Sequence, residues 1–270
     1  MEKIICAISS QVMHGQVGLN AITPALRCLG LESYACPTIL LATHPAAYPD
    51  HDPPAQLDIP AARLRDMLDW LVTAAGVPPV IISGYMPSLA HIEAVADFIR
   101  FCKTQRSDVI YLCDPICGDR GRLYVDETVA QALGQTLLPL ADIATPNLFE
   151  LQWLSNTPAN KDAEIIAAAR GLICPEVIVT STPAPAGRIA TLAITAEKTL
   201  RCETACDPRH VHGMGDTFSG LYLGLRLLNQ PAALGVATAT MAQLAVQASA
   251  NGQLSTQPIC LAPAAPEETI

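Results

Sequence analysis

Asp108-Val109-Ile110-Tyr111-Leu112-Cys113-Asp114-Pro115 decides the architecture: a short apolar, β-branched run that stops on a carboxylate and a proline. Such a run reads as a strand buried on both faces, the condition of strands in a parallel sheet covered by helices. The same punctuation recurs outward from it. Strands are expected at Ile4 to Ser9, Ser33 to Leu41, Pro79 to Ser83, Asp108 to Cys113, Ala141 to Ala144 and Val177 to Ser181. Helices are expected at Val17 to Leu29, Ile59 to Ala75, Ser88 to Cys102, Asp126 to Leu137, Ala159 to Leu172, Asp216 to Leu228 and Pro231 to Ala250. Alternation of the two predicts an α/β fold with a mainly parallel sheet. The run Arg188 to Arg201, alternating on either side of Ala196-Glu197-Lys198, predicts an antiparallel hairpin added at the edge.

With 270 residues, 50% of them apolar and 15% charged, the chain suits one sizeable domain over residues 1–270. A net charge of -9 gives no basic surface for nucleic acid. The opening run Ile4 to Ile8 is too brief for a signal core or a membrane span, so a cytoplasmic protein is expected. Ten cysteines scattered through apolar segments read as free thiols of a reducing compartment. Cys202, Cys206, His210 and His212 have the residue types of a zinc site, but their spacing is not one of the usual frameworks. Pro45 to Pro60 has the composition of a loop long enough to cover a site, and the tail Pro258 to Ile270 is expected to fray. Trp70 and Trp153 fall on apolar helical faces and are expected in the core, whereas His51 and His91 are expected to face solvent.

Three segments carry chemistry. Gly213-Met214-Gly215-Asp216 precedes an apolar helical pattern; its glycines allow close backbone approach, and the free amides of a helix start attract anionic oxygen. Asp216 beside those amides is placed to accept a proton from an attacking hydroxyl. The plainer reading is a turn followed by an aspartate that favours the helix dipole. Asp114-Pro115-Ile116-Cys117-Gly118-Asp119 and Thr145-Pro146-Asn147-Leu148-Phe149-Glu150 each follow a strand, where open α/β sheets bind ligands. Asp114 is a candidate for the metal and phosphate neighbourhood, and Glu150 for magnesium, directly or through water. The plainer readings are an Asp-Pro turn and a first-turn glutamate. No P-loop and no dinucleotide fingerprint is present in the sequence.

Ser10-Gln11-Val12-Met13-His14-Gly15-Gln16-Val17-Gly18 resembles the S-Q-V-x-x-G-x-V-G segment of pyridoxal kinases. Pro37-Thr38-Ile39-Leu40-Leu41, Ser83-Gly84-Tyr85-Met86, Asp114 to Val125, Thr145 to Leu151 and Val179-Thr180-Ser181 follow in that family's order and span nearly the whole chain. The resemblance implies a three-layer α/β/α ribokinase-like fold, a homodimer, and an ATP- and Mg²⁺-dependent kinase acting on the hydroxymethyl group of a B6 vitamer. It further implies that Ser10 and Tyr85 line the substrate pocket, that Asp114, Thr145 and Thr180 flank the ATP phosphates, that Glu150 serves magnesium, that Gly213, Met214 and Gly215 form the anion turn, and that Asp216 is the base. Which monovalent cation assists, K⁺ or Na⁺, is left open.

The chain departs from the family pattern in three places. Ala46 stands where an ungapped match expects a polar substrate contact, with His44 close by to compensate. Met214 replaces a threonine between the anion-turn glycines, and His212 stands where some relatives have lysine. Two rival functions remain at this level. One is hydroxymethylpyrimidine kinase, whose members tend to have cysteine at the position of Asp216; the other is a non-catalytic pyridoxal phosphate binding protein.

Overall fold

The computed structural model describes residues 4–48, 50–207, 209, 211–250 and 252–270. In chain order the principal elements are β1 (Ile5–His14), α1 (Leu19–Arg27), β2 (Ser33–Thr43), β3 (Gln56–Asp58), α2 (Ala61–Ala75), β4 (Val80–Ser83), α3 (Leu89–Gln105), β5 (Ile110–Cys113), β6 (Gly118–Asp119), β7 (Arg122–Leu123), α4 (Glu127–Ala132), β8 (Ile143–Ala144), α5 (Leu148–Ser155), α6 (Asp162–Arg170), β9 (Glu176–Pro183), β10 (Arg188–Ile194), β11 (Thr199–Ala205), α7 (Met214–Leu227), α8 (Ala233–Gln247) and β12 (Glu267–Thr269). Ten strands form one sheet in the order β12-β11-β10-β9-β8-β5-β4-β1-β2-β3, and β6 pairs with β7 apart from it. From β2 to β9 the neighbours run parallel; β3 at one edge and β10, β11 and β12 at the other are antiparallel.

The two-residue period of a strand sorts its side chains into two apolar layers. Ile5 and Ala7 of β1 join α1, α7 and α8 on one face, while Cys6 and Ile8 join α2 and α3 on the other. In β9, Ile178 faces the first layer and Val177 and Val179 pack with α5 and α6. This is the three-layer arrangement expected from the sequence. Neighbours of β1 lie on opposite sides in chain order, β2 on one and β4 on the other, so the strand order reverses there and leaves a crevice at the carboxyl ends.

Several expectations need correction. β1 does not stop at Ser9 but runs on to His14, with a register slip against β2 between Ser9 and Gln11. Pro37 stands opposite Ser9 at the last pair before the slip and has no amide to donate to the ladder. The Pro45 to Pro60 segment returns as β3 and pairs with Ile39, Leu40 and Leu41, so part of it belongs to the sheet. The tail is paired instead of frayed: β12 lies along Leu200 to Cys202, and Glu267 Oε1 accepts the Gly235 amide (2.8 Å) near the start of α8, where free amides seek an acceptor. The hairpin extends to Ala205, and Asp126 to Leu137 is α-helical only to Ala132, continuing as a π-turn over Leu133–Leu137.

Two side chains sit opposite to expectation. Trp70 is 67% exposed on the outer face of α2, because its inner face is supplied by Leu64, Leu68 and Leu71. His91 is buried, with Nδ1 sharing a hydrogen bond with Ser88 Oγ and Nε2 with the Ile59 carbonyl, both at 2.8 Å, so it ties α3 to the approach to α2. Trp153 does pack against the core, and His51 is exposed. Replacing the fully buried Leu26 of α1 by alanine is expected to cost about 2–5 kcal/mol of folding stability. Trp70→Ala should cost less than about 1 kcal/mol. Urea unfolding of the two variants checks both values.

Candidate functional site

Five expected site residues leave the carboxyl ends of the parallel strands. Ser10 continues β1, Tyr85 follows β4, Asp114 follows β5, Thr145 follows β8, and Thr180 lies in β9 beside Asn147. The first turns of α7 reach the 10–18 segment, Asp114 and Thr145, with Gly213 as its N-cap at φ 80° and Asp216 in its first turn. The glycines at this junction are required by contact as well as by φ. A Cβ on Gly213 would lie 1.7 Å from the Gln16 carbonyl oxygen, and one on Gly18 would lie 2.1 Å from the Ser10 carbonyl oxygen. Backbone therefore meets backbone where the 10–18 segment touches the glycine turn.

Asp216 is 8% exposed, and its Oδ1 has no hydrogen-bond partner among the described residues. Burial pushes its carboxyl up to about 6, opposed by the amides of Gly18 and of Asp216 itself. An unpaired carboxylate oxygen away from water is costly unless a ligand brings it a proton, and that is the condition of a general base awaiting a hydroxyl.

Asp114 and Glu150 form the other half of the site. Ser219 Oγ donates to Asp114 Oδ2 (2.8 Å) and shares a hydrogen bond with Thr145 Oγ1 (2.8 Å), so α7, β5 and β8 are joined by one buried chain. Burial, followed by the charges of Glu150 and Asp216, holds the Asp114 carboxyl well above the usual range. Glu150 caps α5 reciprocally with Asn147: Asn147 Oδ1 accepts the Glu150 amide and Glu150 Oε2 accepts the Asn147 amide, both at 2.9 Å. Its Oε1 accepts the amides of Cys117 (3.0 Å) and Gly118 (3.4 Å), which pins the loop that follows Asp114. Burial raises Glu150 to about 8 even against the pull of those amides.

Glu150, expected as a metal residue, therefore turns both oxygens to backbone amides, and the first-turn reading is realised too. Among the described residues no group of three or more His, Cys, Asp or Glu forms a cage for an ion. Magnesium retains water and phosphate ligands and needs only one or two protein carboxylates. Asp114, buried beside two other carboxylates, fits such an ion, since a cation would relieve their repulsion. The Cys202, Cys206, His210 and His212 cluster does not come together in the part described: Cys202 is buried, Cys206 is exposed, the His212 ring lies against His44, and His210 is outside the described residues.

On the substrate side the Tyr85 backbone is held at both polar groups. Its amide donates to Ser9 Oγ (3.1 Å), and its carbonyl accepts from Thr38 Oγ1 (2.9 Å). Burial, with Asp126 adding, raises the Tyr85 phenol. His44 heads the short turn Pro45–Ala47 with Nδ1 accepting the Ala46 amide (3.3 Å), and Ala46 itself is exposed. Met214 is half-buried, and Gly215 is exposed with no heavy atom near the place of its Cβ, leaving that amide's surroundings open. Ser9, Thr38, Asn147 and Ser219 were not singled out from sequence. Ser219 had a signal, since it lies three residues after Asp216 and so shares its helix face.

The family model described as phosphomethylpyrimidine kinase matches residues 52–249. A pyridoxine/pyridoxal/pyridoxamine kinase of Bordetella pertussis is 35% identical over 236 residues, covering 85% of this chain and 83% of its own length. The pyridoxal kinase PdxY of Deinococcus radiodurans is 30% identical over 274 residues, covering 95% and 90%. A solved pyridoxal kinase from Leishmania donovani, in complex with ADP and pyridoxamine, superposes with a TM-score of 0.90 at 23% identity and 99% coverage of both chains, which shows the shared ribokinase-like fold.

Asp114, Glu150 and Asp216 all have folded values above their unfolded ones, so the folded protein retains protons that the unfolded chain releases. Stability conferred by such groups is present at low pH and is lost as pH rises through the folded values. The melting temperature of the ligand-free protein should accordingly fall between about pH 5.5 and about pH 8.5. Asp114→Asn, which retains an acceptor for Ser219, should flatten that decline; thermal melts across the range check it.

Proposed function

Because the chain belongs to the family described as phosphomethylpyrimidine kinase, with pyridoxal kinases as its curated relatives, we propose that it transfers the γ-phosphoryl group of ATP to the hydroxymethyl oxygen of pyridoxal, and of pyridoxine and pyridoxamine as well. The observation that carries this reading is the buried, unpaired Oδ1 of Asp216 in the first turn of α7. The vitamer lies between the 10–18 segment and Tyr85, with its hydroxymethyl group toward Asp216. The oxygen attacks the terminal phosphorus, the bond from that phosphorus to the ADP oxygen breaks, and the hydroxyl proton passes to Asp216. The amides of Gly213 to Gly215 receive the equatorial oxygens as charge shifts onto them.

Asp114, Thr145 and Thr180 face the nucleotide phosphates, held in place by Ser219 and by the capped loop of Glu150. Asp114, with Glu150 through water, would hold a magnesium ion, which when bound neutralises phosphate charge. The protein contributes placement and a preformed electrostatic environment more than covalent chemistry. Backbone amides do the work at the turn, so Met214 in place of threonine leaves it intact. We read the protein as a homodimer of the cytoplasm: its ten free cysteines fit a reducing compartment, and the dimer is what the resemblance to pyridoxal kinases implies.

ADP release measured with pyridoxal, pyridoxine, pyridoxamine and hydroxymethylpyrimidine tests the proposal, and turnover confined to the pyrimidine would overturn it. Asp216→Asn should lower kcat by about 10²–10⁴-fold while leaving nucleotide binding intact by calorimetry. The base acts only when deprotonated, so kcat/KM should fall with decreasing pH through an apparent value near the raised carboxyl at about 6. Gly213→Ala should abolish turnover, because the turn must move away from Gln16 to admit the methyl group.

A further inference from the structure

The loop after β2 and the turn before α7 meet through two imidazoles. The rings of His44 and His212 have centroids 4.5 Å apart and planes inclined at 33°. Their supports differ. The His212 amide donates to the Gly252 carbonyl (2.9 Å), and His212 bridges to Gln253, whose Oε1 lies 3.0 Å from where a Cβ on Gly15 would sit. The next residue, Gly213, is fixed against the Gln16 carbonyl. His212 thus stands on a turn braced from two sides. In the His44 loop Pro45 and Ala46 are exposed, Ala47 is buried at 5%, and the Ala47 amide donates to the His44 carbonyl (3.0 Å).

We propose that His212 is a positioning residue for the acceptor: its ring seats His44, and with it the 44–47 loop, over the substrate side of the glycine turn. The flat ring at this position, more than its charge, then sets affinity for the vitamer. This rests on the vitamer kinase reading. The competing role is a cation beside the transferred phosphoryl group, which a lysine would supply and which would act on turnover.

His212→Phe keeps a ring without charge, and His212→Lys keeps charge without a ring. Positioning predicts that His212→Phe retains KM for pyridoxal within about twofold, while His212→Lys raises it about three- to tenfold with kcat little changed, the range expected for one aromatic pair. A normal KM in His212→Lys together with reduced kcat in His212→Phe would establish the cation role and overturn ours. Amide hydrogen exchange at Ala47 in the ligand-free protein gives a readout that needs no vitamer: it should quicken in His212→Lys but not in His212→Phe. If the wild-type protein phosphorylates no vitamer, the kinase reading fails while exchange still reports on the ring contact. If it does phosphorylate one and the two His212 variants match in both KM and exchange, the positioning role fails alone.

Discussion

The site depends on one contact between main chains. Gly213 lies against the Gln16 carbonyl, so the segment leading from β1 to α1 and the turn opening α7 share space that no side chain can enter; within that segment Gly18 lies as closely against the Ser10 carbonyl. The constraint fixes the glycine turn relative to the 10–18 segment, and it does so with backbone atoms that belong to the end of β1 and the start of α7. Precision of that kind is what transfer between two bound molecules needs, because most of the rate comes from holding the reactants in line.

Around this junction the protein gathers three carboxyl groups that burial pushes toward their protonated forms. Asp114, Glu150 and Asp216 are all buried, at 3%, 3% and 8% exposure, and each is displaced upward by its surroundings. Their hydrogen bonds divide the labour. Glu150 is fully engaged by amides and acts on the loop around Cys117 and Gly118, Asp114 accepts from Ser219, and Asp216 retains a free oxygen. One carboxyl group ties down a loop, one is joined to α7, and one keeps an oxygen without a partner among the described residues.

Much of this was legible in the sequence because its logic is local. Asp114 and Thr145 could be placed since each directly follows an apolar strand, and Asp216 since it follows two glycines ahead of a helix. What sequence did not disclose depends on distant partners. β12 forms only because β11 presents an open edge and α8 offers the Gly235 amide to Glu267. His91 is buried because a carbonyl from a different segment, Ile59, waits for its ring. Trp70 shows the converse: an apolar residue on a helical stripe reads as core, yet three leucines already fill the face that α2 turns inward. Ser219 and Asn147 matter through the carboxylates they touch, so their role became visible only with Asp114 and Glu150 in place.

The slip opposite Pro37 changes the parity of β2. Up to that point the two strands advance residue for residue, Ile5 to Ser9 against Ser33 to Pro37; between Ser9 and Gln11 β2 supplies one residue more than β1, so that Gln11 stands opposite Leu40. Thr38 lies within that extra length and donates its Oγ1 to the Tyr85 carbonyl, while Leu40, Leu41 and Thr43 pair with Gln11, Val12 and His14 in the new register. An irregularity in one strand thereby fastens the main chain that follows another, at Tyr85.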